Sequence, residues 1–154
     1  MKKTNTILAG ILVLMCFFVT TALADVIDLN IEGKKLVEAS QLLIADGQVL
    51  QNCTGQDRVK MVDEGHMMIQ KGRDIISDGA MMHTAEGREN ILEVGQNMIH
   101  GGNMLLKKGK QPGELTAKDK TKIKKLGKNM TYMGNLMLEK GKLMLEKGKL
   151  MTGE

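Results

Sequence analysis

The stretch that decides the fold is Gly65-His-Met-Met-Ile-Gln-Lys-Gly72, in which two glycines bracket an apolar pair. Its pattern is a small residue, two variable positions, Leu or Met, Ile or Leu, two further variable positions and a glycine. The same pattern recurs at Ser40–Gly47, Gly95–Gly102 and Gly134–Gly141. Four copies of one motif indicate an internal repeat, and a repeat has to be recognised before shorter motifs are interpreted.

Glycines extend this seven-residue step along most of the chain. The series are Gly65, Gly72 and Gly79, then Gly95, Gly102 and Gly109, then Gly127, Gly134, Gly141 and Gly148. A period of seven is typical of packed helices, as in a coiled coil, and does not fit the alternation of a strand. The sequence therefore predicts an all-α fold with glycine-spaced heptads.

These glycines need a physical reason, because each one inside a helix costs about 1 kcal/mol relative to alanine. Ten of them cost on the order of 10 kcal/mol, which is comparable to the whole stability of a typical domain. We expect the missing side chains to let helix backbones approach closely along a seam. A relic of gene duplication is the alternative explanation.

Three breaks divide the repeat, at Cys53–Gly55, His83–Gly87 and Gln111–Gly113. They predict four helices at 28–52, 57–82, 86–110 and 116–151, with Thr84 as a helix N-cap. Short connections favour antiparallel neighbours, so we predict an up-down-up-down four-helix bundle. The alternative fuses the second and third helices into one rod, which gives an extended coiled coil.

The N-terminus has the three parts of a secretory signal. Lys2 and Lys3 precede the apolar run Ile7–Val19, and Ala22-Leu-Ala24 then provides small residues for cleavage before Asp25. We predict a cleaved signal peptide over 1–24, a single bundle domain over 25–154, and a periplasmic or secreted location. An uncleaved membrane anchor is the alternative.

Charge is divided unevenly along the predicted mature chain. Residues 25–106 carry 7 basic and 13 acidic residues, a net charge of −6, whereas residues 107–154 carry 13 and 5, a net charge of +8. An exported protein rarely meets nucleic acid, so we expect no nucleic-acid partner. The basic segment either packs against the acidic remainder or makes peripheral contact with an anionic membrane or cell-envelope surface.

The predicted fourth helix repeats Leu136–Lys142 without change as Leu143–Lys149. Its three adjacent apolar positions per heptad form a wider arc than one bundle seam needs. It also looks about ten residues longer than its partners. We therefore expect its end to overhang and to contact a second chain or a membrane surface. A solvated, frayed end is the alternative.

The sequence contains no catalytic constellation, so we predict that the protein is not an enzyme. It has no supported Ser/His/Asp arrangement and no Gly-rich phosphate loop after a strand. A di-iron bundle needs Glu-x-x-His on two helices. The nearest approaches are Asp63-x-x-His66 and Asn97-x-x-His100, and neither matches.

Clustered thioether and imidazole groups suggest a soft-metal site instead, because these ligands suit Cu(I) and Ag(I). The candidate ligands, at the two ends of the hairpin made by the second and third helices, are His66, Met67, Met81, Met82, His83, His100 and Met104. Met is also an adaptable core residue, and Met68, Met98, Met137 and Met144 occupy the apolar position of the repeat. A haem seated in a glycine-lined seam is a further alternative.

Cys53 is the one cysteine of the predicted mature chain, so it serves either as a buried packing residue or as a disulfide partner between two chains. Together these features predict an exported, non-catalytic helical-bundle interaction or structural protein. Its partner is a second copy of the chain or another protein. The alternative function is a periplasmic Cu(I)- or Ag(I)-binding protein.

Overall fold

A computed structural model describes the backbone of residues 2–53 and 58–152, and the side chains of residues 26–53 and 58–152. Over these residues the ordered elements are helices, with no strand. In chain order they are α1 Lys2–Asn52, α2 Arg58–Gly79, α3 Ala85–Gly109 and α4 Ala117–Thr152. The predicted all-α class with four helices is confirmed, and the arrangement is consistent with a four-helix bundle.

The helix ends follow the breaks in the repeat. α2 ends at Gly79 and α3 begins at Ala85, so the alternative of one continuous rod is wrong. Thr84 is the N-cap of α3, as predicted, and its side-chain oxygen accepts a hydrogen bond of 2.9 Å from the backbone N–H of Gly87. Between α3 and α4, Gly113 has a φ of +85°, which a residue with a β-carbon adopts only under strain.

The first helix begins earlier than predicted. α1 starts at Lys2 rather than at residue 28, because the apolar segment before Asp25 contains no proline and continues the helix. Cleavage of the signal peptide stays a prediction, since the side chains of residues 2–25 lie outside the described part. The predicted turn at Thr54–Gly55 also stays a prediction, because residues 54–57 lie outside the described part of the chain. Within residues 26–53 and 58–152, no helix is long and apolar enough to cross a membrane.

The glycines of the repeat line two seams, each between a pair of antiparallel helices. The facing pairs are Gly33 with Gly141 and Gly47 with Gly127 in the α1–α4 seam, and Gly65 with Gly102 and Gly72 with Gly95 in the α2–α3 seam. Each step of seven residues forward on one helix matches a step of seven back on the other. The shared heptad spacing therefore sets the register of both pairs.

The backbones meet directly at these positions. A methyl group on Gly72 would lie 2.6 Å from the carbonyl oxygen of Gly95, and one on Gly95 would lie 2.7 Å from the carbonyl oxygen of Gly72. Both distances are too short for a real contact, and a backbone carbonyl cannot rotate aside. This is the close approach that the glycine spacing predicts. It also leaves no space in the seam for the flat ring of a haem.

The hydrophobic core lies between the two helix pairs. Its main residues, three positions after each seam position, are Leu36, Leu43, Leu50, Met61, Met68, Ile75, Met82, Ile91, Met98, Leu105, Ile123, Met130 and Met137. The packing role predicted for Met68, Met98 and Met137 is confirmed, since all three are buried, and Met144 is partly buried and packs against the core. At the centre, a methyl group on Gly101 would lie 2.8 Å from Cε of Met68 and 3.0 Å from Sδ of Met130. Flexible thioether side chains therefore fill the interior.

We expect Gly72→Ala to lower the free energy of unfolding by about 1–3 kcal/mol, because the added methyl group overpacks the α2–α3 seam. On an open helix surface the same change would raise the free energy of unfolding by about 1 kcal/mol. The sign of the change in unfolding free energy therefore tells whether Gly72 lies in a closely packed seam. Urea denaturation followed by circular dichroism measures the difference. Ser77→Ala, on the exposed face of α2, is the control and should change stability by less than about 0.5 kcal/mol. A more stable Gly72→Ala protein would contradict the seam.

Candidate functional site

The predicted metal ligands at the α2–α3 turn point in different directions. Met82 is 4% exposed and belongs to the core, whereas Met81 is 66% exposed. His83 is exposed, and its Nε2 lies 3.8 Å from Oδ1 of Asp28 on α1. Nη1 of Arg88 donates to the carbonyl oxygens of Met82 and His83 at 2.8 and 3.3 Å. These polar contacts fix the turn, and the three candidate ligands do not converge.

The other four candidates lie farther along the α2–α3 pair. The seam register places His66 and Met67 level with residues 101 and 100, and both side chains are exposed. His100 and Met104, one helical turn apart, line a common groove between α3 and α4. The remaining lining residues are Asn103, Lys107, Lys108, Asp119, Lys122 and Ile123. Of the seven predicted ligands, the structure thus places His100 and Met104 in one groove, without His66 or Met67.

The charges of this groove work against a bound cation. Three lysines line it, and its one carboxylate, Asp119, is already engaged. Oδ1 of Asp119 accepts from Nζ of Lys108 at 2.8 Å, and Oδ2 accepts from the hydroxyl of Thr116 at 2.8 Å. These hydrogen bonds hold the pKa of Asp119 below its ordinary value. Among residues 26–53 and 58–152, no three His, Cys, Asp or Glu side chains form a group that could hold a metal ion.

Acidic side chains buried between the helix pairs form a second region, which the repeat pattern did not predict. Glu32 on α1 is 1% exposed, and its carboxylate accepts hydrogen bonds from the backbone N–H of Thr84, at 2.7 Å, and from its hydroxyl. Asp46, also on α1, is 2% exposed and accepts from Nζ of Lys71 on α2 at 2.8 Å. Each acid directly precedes a seam glycine. On α1 the same heptad position holds the buried Ala39, so an acidic residue at that position was the available signal.

A third buried polar group, Asn90 on α3, accepts a hydrogen bond of 3.0 Å from Nζ of Lys140 on α4. Burial raises the pKa of Asp46, and the hydrogen bond and charge of Lys71 oppose that effect. All three contacts, those of Glu32, Asp46 and Asn90, join one helix pair to the other. We interpret them as determinants of how the two pairs align, because a misaligned buried polar group would lose its partner.

Cys53 is fully buried in the core at the end of α1. Burial and the charge of Glu64 raise the pKa of its thiol, and Lys60 acts in the opposite direction. Thiol–disulfide exchange proceeds through the thiolate and requires access, so this thiol is poorly placed to react. The structure therefore favours the packing role of Cys53, and a disulfide between two chains would require the end of α1 to open.

The outer surface of α4 carries a stripe of exposed apolar side chains. Leu136, Leu143 and Leu150 are 48%, 62% and 75% exposed and follow one another at seven-residue intervals. We call these three residues the leucine stripe. Over residues 26–53 and 58–152, no ion pair joins a lysine of α4 to an acidic residue of another helix. The outer face of α4 therefore combines the leucine stripe with exposed lysines, and the exposed Glu139 and Glu146 lie beside it.

Comparison of the chain with protein-family models, with curated proteins and with solved structures gave no match.

We expect Asp46 to make stability depend on pH. Its folded pKa is raised above the ordinary value of about 3.9. Its stabilising contribution is therefore fully present below about pH 4 and is lost as the pH rises through the folded pKa. The protein should gain stability relative to Asp46→Asn as the pH falls from 7 towards 4. Urea titrations across this range measure the difference, with Asp63→Asn on the exposed face of α2 as the control. A stability difference between the two proteins that stays constant with pH would contradict the raised pKa of Asp46.

Proposed function

We propose that the protein is an exported, non-catalytic helical bundle that works by binding protein surfaces, in the first place a second copy of itself through α4. The leucine stripe is the observation that carries this proposal. Single exposed leucines are ordinary on a protein surface, but three in one row form a contiguous apolar feature of the kind that marks an interaction site. α4 is 36 residues long, against 22 for α2 and 25 for α3, and its last turns pack beside α1, where Gly148 faces Asn30.

Cleavage after Ala24 and an up-down-up-down order of the mature helices are part of the proposal. The small residues that precede Asp25 support the cleavage. Continuing the register from Gly33 and Gly141 places Asp25 level with Lys149. α4 therefore accompanies the part of α1 that the mature chain would keep. After cleavage, α1 and α4 would end at nearly the same level, beside the α2–α3 turn.

The non-catalytic assignment rests on the character of the interior. The core is aliphatic and thioether-rich. Three of its buried polar side chains, Glu32, Asp46 and Asn90, connect the two helix pairs. The fourth, Ser40, donates to a carbonyl oxygen within α1. The region suited to recognition is the outer surface of α4. Its first half adds six exposed lysines, namely Lys118, Lys120, Lys122, Lys124, Lys125 and Lys128. These could make peripheral contact with an anionic membrane or cell-envelope surface.

We expect Leu143→Glu to convert the exported protein from an oligomer to a monomer, because it places a charge in the middle of the leucine stripe. Native mass spectrometry of protein from the exported fraction reads both the number of copies and the first residue, which should be Asp25. Leu143 is 62% exposed, so the change should not disturb folding. Met81→Glu, at a site 66% exposed on the turn, is the matched control and should remain oligomeric. A monomeric unsubstituted protein would sink the proposal.

Soft-metal binding is a second candidate function, and the shared groove of His100 and Met104 favours it. Two ligands one turn apart on a helix face can reach one ion. The imidazole and the thioether are both suitable for Cu(I) or Ag(I). The lysines around the groove weaken the case, so we rank this function below self-association.

If the metal function holds, titration with Ag(I) or with Cu(I) under reducing conditions should show at least one bound equivalent. The double variant His100→Ala/Met104→Leu should then bind about tenfold or more weakly, since it loses both ligands. The control variant Met81→Leu/His83→Ala removes candidates that do not converge and should bind as the unsubstituted protein does. Less than one equivalent, or equal binding by the first double variant, would exclude this site.

A further inference from the structure

The leucine stripe of α4 has a charged row on each side. Glu139 and Glu146 follow Leu136 and Leu143 by three positions, and Lys140 and Lys147 follow them by four. A helix turns by about 100° per residue, so a residue three positions on lies about 60° to one side of a stripe residue. A residue four positions on lies about 40° to the other side. The stripe therefore runs between an acidic row on one side and a basic row on the other.

This asymmetry determines which way two copies can face each other. When two identical helices pack in parallel about a two-fold axis, the acidic row of each lies against the basic row of the other. In an antiparallel pair, acidic row meets acidic row and basic row meets basic row. Opposite charges beside an apolar seam favour the first arrangement, and like charges disfavour the second.

We propose that two copies of this chain associate through their leucine stripes with the two α4 helices parallel. This inference rests on the proposed self-association and specifies its geometry. Because α1 runs antiparallel to α4, the start of α1 in both copies then lies at the same end of the dimer. Such a pair has closed two-fold symmetry, the commonest arrangement of homodimers.

The charged rows are available for this contact. Oε1 of Glu139 lies 3.6 Å from Nζ of Lys142 on the same helix. The side chains of Glu139 and Lys142 are 71% and 59% exposed, so this ion pair is weak and a partner's lysine can replace it. Lys140 donates one hydrogen bond to Asn90 and retains two further N–H groups. That bond holds Lys140 at the edge of the stripe. Glu146 and Lys147 are exposed.

The exposed fraction rises along the stripe from 48% at Leu136 to 75% at Leu150. The last turns of α4 therefore have the most apolar surface to bury in a dimer. Met151, which is 47% exposed, extends the apolar surface beside Leu150. Leu143 is the middle residue of the stripe, and we place the centre of the contact there.

Disulfide trapping of the purified protein tests the orientation. In a parallel dimer each stripe residue meets its own copy, so Leu150→Cys alone and Leu136→Cys alone should each form a covalent dimer under mild oxidation. Mixing the two variants should add no mixed dimer, because 14 residues of helix separate the positions by about 21 Å. A disulfide requires α-carbons within about 7 Å. The unsubstituted protein is the control, since its Cys53 is buried.

The outcomes separate the two proposals. Covalent dimers of each variant alone support the parallel geometry. A mixed dimer between Leu136→Cys and Leu150→Cys, without dimers of either alone, would overturn the parallel geometry and leave self-association standing. No covalent dimer, together with a monomeric mass, would overturn both.

A charge reversal gives an independent reading of the same geometry. Glu146→Lys should weaken a parallel dimer roughly three- to tenfold, because lysines then face the basic row of the partner. In an antiparallel dimer Glu146 would face the acidic row of the partner. Replacing it by lysine would turn a repulsion into an attraction and strengthen association. A stronger dimer would therefore overturn the proposal. Sedimentation equilibrium measures the change, with Glu93→Lys on the exposed face of α3 as the control.

Discussion

Direct backbone contact between glycines holds the helices of each pair closer than side chains would allow. At the seams, the carbonyl oxygen of one glycine occupies the space that a β-carbon on the opposite glycine would need. Sliding one helix by fewer than seven residues would bring a larger side chain against that backbone. The register of each pair is therefore discrete, and the side chains of all other heptad positions take their places from it.

Backbone contact holds the helices within each pair, whereas side-chain packing holds the two pairs together. The residues three positions after each seam position fill this interface with leucine, isoleucine and an unusual share of methionine. The one aromatic residue with a described side chain, Tyr132, is 66% exposed and takes no part in the core. Flexible thioethers adapt to the remaining space but specify alignment weakly. The buried contacts of Glu32 and Asp46 supply alignment that methionine packing lacks.

The repeat and its breaks were enough to predict four helices, the Thr84 cap and the close approach of backbones, but not the start of α1 at Lys2. It could not predict that α1 pairs with α4, because all four helices carry the same spacing and any two could form such a seam. The buried acids were missed because their partners, Lys71 and Thr84, come from distant segments. Met82 is different, since it lies three residues after Gly79 and so shares the core position of Met68. That position already argued against a role as metal ligand.

The same seven-residue period on α4 places residues on two surfaces, the inner seam and the leucine stripe. The glycines from Gly127 to Gly148 form the inner seam against α1, and two positions after three of them lies a leucine of the stripe. On α2 the corresponding position alternates between charged and apolar residues, so no stripe forms there. The unchanged copying of Leu136–Lys142 into Leu143–Lys149 extends both surfaces together. A sequence constrained only by the seam would leave that outer position free to vary. Under the proposed self-association, its repeated leucine would meet a second constraint, which is contact with another copy of the chain.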